Sequence, residues 1–185
     1  MIRQPILLKR NWQSLYLKLL IATCGWIWAY SASGAELKNW FNDPFIQVRH
    51  AVSDCPLPVG PMTTEDEARK ESHWRTERGT SCWLAGQCTK ANSYAYDADI
   101  SKSVAAHFAT DPAFARSTLW LTFQRRFVWV EGCAADPAIT DKALEAFVKA
   151  EPDVERVIVN LMQVKGVVGG INRVAKPPYA SAQFR

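Results

Sequence analysis

Two alternating runs separated by only two positions constrain the fold of this chain more than any other feature. Thr118-Leu119-Trp120-Leu121-Thr122-Phe123-Gln124 reads as one strand and Phe127-Val128-Trp129-Val130-Glu131 as the next. Arg125-Arg126 is the turn between them, so the pair reads as a hairpin. Successive strand side chains point to opposite faces. Leu119, Leu121, Phe123, Val128 and Val130 then share one face. Trp120, Phe127, Trp129, Glu131 and Cys133 share the other, where Ile158 and Met162 of a third strand join them.

The first face needs an apolar cover, and the flanking sequence supplies one. Ile100, Val104 and Phe108 are spaced by four, the signature of one face of a helix that opens at Asp97 and stops at Asp111-Pro112. Asp97 reads as the helix cap. A second helix is expected from Asp136-Pro137, with Leu144, Phe147 and Val148 as its buried stripe. Val154 to Met162 is the third strand. Residues 97–163 thus read as an α/β unit ordered helix, strand, strand, helix, strand, with a three-stranded sheet and two helices on one face.

Residues 36–96 read as an irregular leader, because Asp54-Cys55-Pro56-Leu57-Pro58-Val59-Gly60-Pro61 is too rich in proline for a helix or a central strand. Within it, Thr63 or Thr64 caps a short polar helix over Glu65–Arg78, with Glu67 placed for a capping box on Thr64 and Gly79 as its end. The stretch from Gly79 to Cys88 reads as a cysteine-bearing loop. Residues 164–185, with four basic side chains and no acid, read as a flexible basic tail.

Charge locates an export segment. Of 22 basic residues, Arg3, Lys9, Arg10 and Lys18 lie in the first 35, which hold no acid. The remaining 18 balance the 18 acids. An apolar run over Leu19–Tyr30 follows, then Ser33-Gly34-Ala35. Residues 1–35 therefore have the layout of a secretory signal peptide, which implies a periplasmic protein. The alternatives are an inner-membrane anchor over residues 19–35 and a lipoprotein modified at Cys24.

After residue 35 the chain keeps Cys55, Cys82, Cys88 and Cys133, an even set suited to disulfides in an oxidising compartment. Three connectivities are open. A zinc or redox site using these cysteines with His50 or His73 is the rival, although five residues between Cys82 and Cys88 exceed the usual zinc spacing. No Cys-x-x-Cys-His marks haem attachment. His50, His73 and His107 accompany no activated-nucleophile pattern, and no phosphate loop or dinucleotide fingerprint occurs, so no enzyme, cofactor, metal or small-molecule substrate is expected. The balanced charge after residue 35, with export, disfavours nucleic acid.

In Asp97 and Ile100, Leu119-Trp120-Leu121-Thr122-Phe123, Val128-Trp129-Val130-Glu131-Gly132 and Val154-Glu155-Arg156-Val157-Ile158-Val159-Asn160, residues 97–163 resemble the BON domain family, small modules of bacterial envelope and osmotic-stress proteins. The leader resembles the cysteine-containing leader of some BON proteins. The resemblance implies phospholipid binding at the envelope surface and no catalytic or metal site. The family often places glycine in the hairpin turn. Arginine resists the positive φ of a two-residue primed turn, so a longer turn is expected here. Arg125 and Arg126, with Arg116, are candidates for a basic patch, and Trp120, Phe127 and Trp129 for an aromatic one, facing envelope phospholipid or another envelope protein. The competing expectation is that the leader covers the second sheet face through Trp40, Phe45, Trp74 or Trp83. A disulfide from Cys133 would then hold it down.

Overall fold

The computed structural model describes residues 35–168 and 171–173, with side chains described as far as residue 164. The expected signal segment, the lipoprotein alternative at Cys24 and the end of the basic tail lie outside the described residues. The leader and the 97–163 region belong to one compact unit that starts at Glu36.

The fold is mixed α/β, with six strands and three helices among the described residues. The strands are β1 (Phe45–His50), β2 (Ser117–Gln124), β3 (Phe127–Ala134), β4 (Arg156–Gln163), β5 (Lys165–Val168) and β6 (Ile171–Arg173). The helices are α1 (Glu65–Leu84), α2 (Asp97–Thr110) and α3 (Asp141–Lys149). The main sheet runs β1-β2-β3-β4, and β5 pairs with β6 separately. β1, β2 and β3 are mutually antiparallel, whereas β4 lies parallel to β3. That parallel return needs a crossover, which α3 provides.

The expected three-stranded sheet is corrected to four strands, because the leader supplies β1. Its alternation is hidden by an irregularity between Gln47 and Arg49. Ile46 and Val48 pack against the core, and Arg49 also turns inward to donate to the carbonyls of Phe108 and Asp111 at the end of α2. A guanidinium there satisfies helix-end carbonyls that have no partner within the helix.

The leader helix is longer than expected. Thr64 and Glu67 form the capping box, but α1 continues through Gly79 to Leu84. Gly79 is buried on α1, where an added Cβ would sit 2.7 Å from the Asn92 side chain, so the glycine permits a close approach and does not end the helix. α3 starts later than expected. Thr140, not Asp136-Pro137, caps it by accepting from the Ala143 N–H at 3.2 Å. In the region read as a flexible tail, β5 and β6 pair antiparallel.

The core lies between the sheet and α2 and α3. Ile100, Val104, Phe108, Leu144 and Val148 pack on Leu119, Leu121, Phe123, Val128 and Val130. Phe108, Phe114 and Phe147 form an aromatic triad whose ring centroids lie 4.7–5.5 Å apart. Gly132 is required by contact: a Cβ there would lie 2.0 Å from the Thr118 carbonyl oxygen.

Candidate functional site

The β2–β3 turn contains only two residues, and both carry positive φ, 57° at Arg125 and 66° at Arg126. This corrects the expected longer turn. Left-handed non-glycine residues cost on the order of 1–3 kcal/mol each. The compensation comes from Asp97, whose two carboxylate oxygens accept the Arg125 and Arg126 backbone N–H groups at 2.7 Å each. Hydrogen bonds to a charged acceptor contribute about 1.5–3 kcal/mol each, enough to offset the strain. Asp97 therefore caps the hairpin, not its own helix, whose N-cap position is Tyr96 with no side-chain cap bond. Burial pushes the Asp97 carboxyl up to about 6, against the pull of the two backbone N–H groups.

Beside this turn the leader builds a second buried polar cluster. Arg75 of α1 makes a two-pronged contact with Asp43, at 2.9 and 2.6 Å, and lies between the rings of Phe41 at 4.1 Å and Tyr94 at 3.8 Å. Gln124, at the end of β2, donates to the same carboxylate. The leader is thus fastened to the hairpin tip by charge.

At the other end it is fastened covalently. Cys55 is bonded to Cys133, and Val52 and Cys55 pack with Cys133 and Met162. Phe45 faces Gly60, where a Cβ would lie 2.9 Å from its ring. The covered part of the second face includes Thr118, Trp120, Thr122 and Cys133, all buried. The other bond joins Cys82 to Cys88. All four of these cysteines are paired in disulfides, and disulfides match an oxidising, extracytoplasmic compartment. Among the described residues no helix is long and apolar enough to cross a membrane.

The cover is made by the loop after β1, around Val52 and Cys55, with Phe45 of β1 packed on Gly60, and not by the expected tryptophans. Trp74 and Trp83 are 50% and 48% exposed. Trp40 donates its indole N–H to the Thr63 carbonyl at 2.8 Å within the leader. Under this cover Glu131 pairs in register with Trp120 on one side and Asn160 on the other. Burial lifts its carboxyl to about 7, partly opposed by Asn160.

The cover stops short of the hairpin tip, and there the second face stays open. A depression of about 240 Å³ is lined by Arg125, Phe127 and Trp129 of the hairpin, Gln124 beside them, and Glu71, Arg78 and Tyr94 of the leader. Glu71, Arg78 and Gln124 also line a groove of about 590 Å³ that runs past Phe41, Met62 and Trp74. Phe127 lies under two guanidinium groups, Arg125 at 4.6 Å and Arg156 at 5.7 Å, with the Trp129 ring 6.1 Å away.

Arg125, Phe127 and Trp129 are thus brought together. Trp120 is buried and does not reach this site. Arg126 turns the other way, donating from Nε to the Asp153 carbonyl at 2.7 Å and lying over Tyr96. Arg116 is exposed but sits before the start of β2, roughly 23 Å along the strand from the tip, so the three arginines form no common patch. Sequence reasoning missed Arg156, Arg78 and Tyr94. For Arg156 a signal existed, since parallel pairing of the third strand with the second places it opposite Phe127. No family model, curated protein or solved structure matches this chain.

Proposed function

We propose that this protein is a non-enzymatic periplasmic envelope module that docks on phospholipid surfaces through the tip of its β2–β3 hairpin. The observation that carries the reading is Phe127, partly exposed beside the guanidinium groups of Arg125 and Arg156 and close to Trp129. Aromatic rings bordered by cations suit the lipid–water boundary, where rings sit among headgroups and guanidinium groups reach phosphates. The resemblance of residues 97–163 to the BON family points the same way. The average field does not, because residues 97–163 hold seven basic and ten acidic side chains. Attraction to anionic lipid is then local, at about 1 kcal/mol per cation, and is screened by salt.

The test is co-sedimentation of the oxidised protein with neutral and anionic vesicles at low and high salt. Replacing Arg125 and Arg156 with Ala is expected to lower low-salt binding to anionic vesicles by roughly tenfold or more. Arg126→Ala is expected to leave that binding in place. Equal binding of wild type and the double variant would exclude the hairpin tip as the lipid site.

A second reading, docking onto another envelope protein, rests on β4. It is an edge strand of eight residues, charged only at Arg156. An edge strand can accept a partner strand by main-chain pairing.

A further inference from the structure

We infer that Trp83-Leu84, at the C-terminal apex of α1, is a second lipid contact: a disulfide-clamped wedge that enters the boundary between headgroups and acyl chains. The inference rests on the lipid reading above and adds a contact outside the hairpin. Leu84 is 80% exposed, more than any other large apolar side chain described, and Trp83 next to it is 48% exposed. The chain at the apex projects into open space, since a Cβ built on Gly86 would meet nothing within 4 Å.

Three features suit this apex to an apolar medium. First, it is rigid: buried Cys82, in the last turn of α1, is bonded to Cys88, so little ordering entropy is lost on insertion. Second, its turn carries its own backbone hydrogen bonds. The N–H groups of Ala85, Gly86 and Gln87 donate to the carbonyls of Ser81, Trp83 and Cys82 at 2.8–3.1 Å. Backbone N–H groups bonded internally lower the penalty for leaving water. Third, no acid occurs from Arg78 to Tyr96. The two cations of that stretch are already paired, Arg78 with Glu71 at 3.4 Å and Lys90 with Asp99 at 2.7 Å.

The apex therefore contributes apolar surface with nearly balanced charge. Its contact with lipid is insensitive to salt, unlike that of Arg125 and Arg156. Arg78 links the two contacts, lying about 1.7 helical turns before Leu84 and lining the depression that also holds Arg125, Phe127 and Trp129. An acid-free apex beside a cationic tip suits an anionic bilayer, which would repel an acid, and offers a protein partner no unpaired charge to recognise.

The experiment uses the oxidised protein and vesicles whose lipids carry bromine atoms high on the acyl chains, which quench nearby tryptophan emission. The wild type is expected to show a quenched component at high salt that is lost in Trp83→Phe. Leu84→Glu is expected to lower high-salt vesicle binding by about tenfold, the effect of withdrawing one leucine from an apolar phase. Thiol titration and far-ultraviolet circular dichroism confirm that both variants keep the fold and the disulfides. If quenching is the same in wild type and Trp83→Phe while the Arg125/Arg156 variant still loses binding, the wedge is wrong and the hairpin site stands. If Trp83 quenching persists in the Arg125/Arg156 variant at all salt concentrations, with no loss of binding, the wedge stands and the hairpin site is wrong. Absence of both effects overturns the two together.

Discussion

On one face of the main sheet, Leu119, Leu121, Phe123, Val128 and Val130 meet two amphipathic helices. On the other, Trp120, Glu131 and Cys133 lie with a proline-containing loop, a disulfide and a buried ion pair between Arg75 and Asp43. The strands are the same, yet the closures differ in kind. The first uses apolar area, at roughly 1.5–3 kcal/mol per fully buried side chain, and helices adjacent in sequence to the strands they cover. The second uses few apolar contacts and reaches far along the chain. It holds polar groups such as Glu131 out of water at a cost, and restores stability with covalent and charged fasteners. A face closed in this way can stop short of one end, and the open end at the hairpin tip is where the proposed site lies.

The comparison is broken most severely from the helix side. Phe108→Ala, at a position with no exposure, is expected to cost about 3–5 kcal/mol, read as a shift of the denaturant midpoint. Replacing Cys55 and Cys133 with Ala opens the other face. The bond spans 78 residues, so the loss is about 3–4 kcal/mol, with a red shift of tryptophan emission. The helix-covered core should survive that change, seen as retained far-ultraviolet dichroism.

A pH titration sharpens the contrast, because burial on the leader-covered face lifts the Glu131 carboxyl. Glu131 titrates near 7 in the folded protein and near 4.5 when unfolded. Between those values the native state holds a proton that the unfolded chain has released. Its contribution to stability therefore falls as pH rises through that window and is constant above it, by about 3 kcal/mol in all. Asp97, raised from 3.8 to about 6, acts in the same direction over its own window. Glu131→Gln is expected to flatten the fall between pH 6 and 7; an unchanged profile would mean that this carboxyl is not desolvated. The smallest effect is expected at the tip. Asp97→Asn replaces one acceptor oxygen with a donor facing a backbone N–H, at a cost of about 1–2 kcal/mol in thermal unfolding at neutral pH.

The helix-covered face was the legible one. Spacing by four at Ile100, Val104 and Phe108 and alternation across residues 118–130 are local signals, and local signals suffice when neighbouring elements cover each other. Cys133 also announced a tether on the second face through its parity. β1 was not legible, because its irregularity puts Val48 and Arg49 on the core side in succession and erases the alternation. The role of Asp97 was hidden because its partners are backbone N–H groups 28 and 29 residues away, while its position suggested a helix cap. Half of the candidate site was readable as Arg125, Phe127 and Trp129. The other half, Arg78 and Tyr94, comes from packing of the leader that no spacing encodes.

The nested pattern of the disulfides, with Cys82–Cys88 inside Cys55–Cys133, bears on how the chain matures as it emerges into an oxidising compartment. Loop closure favours near partners, and only six positions separate Cys82 from Cys88. Once that pair forms, Cys55 has a single remaining partner among the four, and that partner arrives 78 residues later. An inner bond formed first would remove two wrong choices before the right one exists, and the leader can be tethered over the sheet only once Cys133 of β3 has been made.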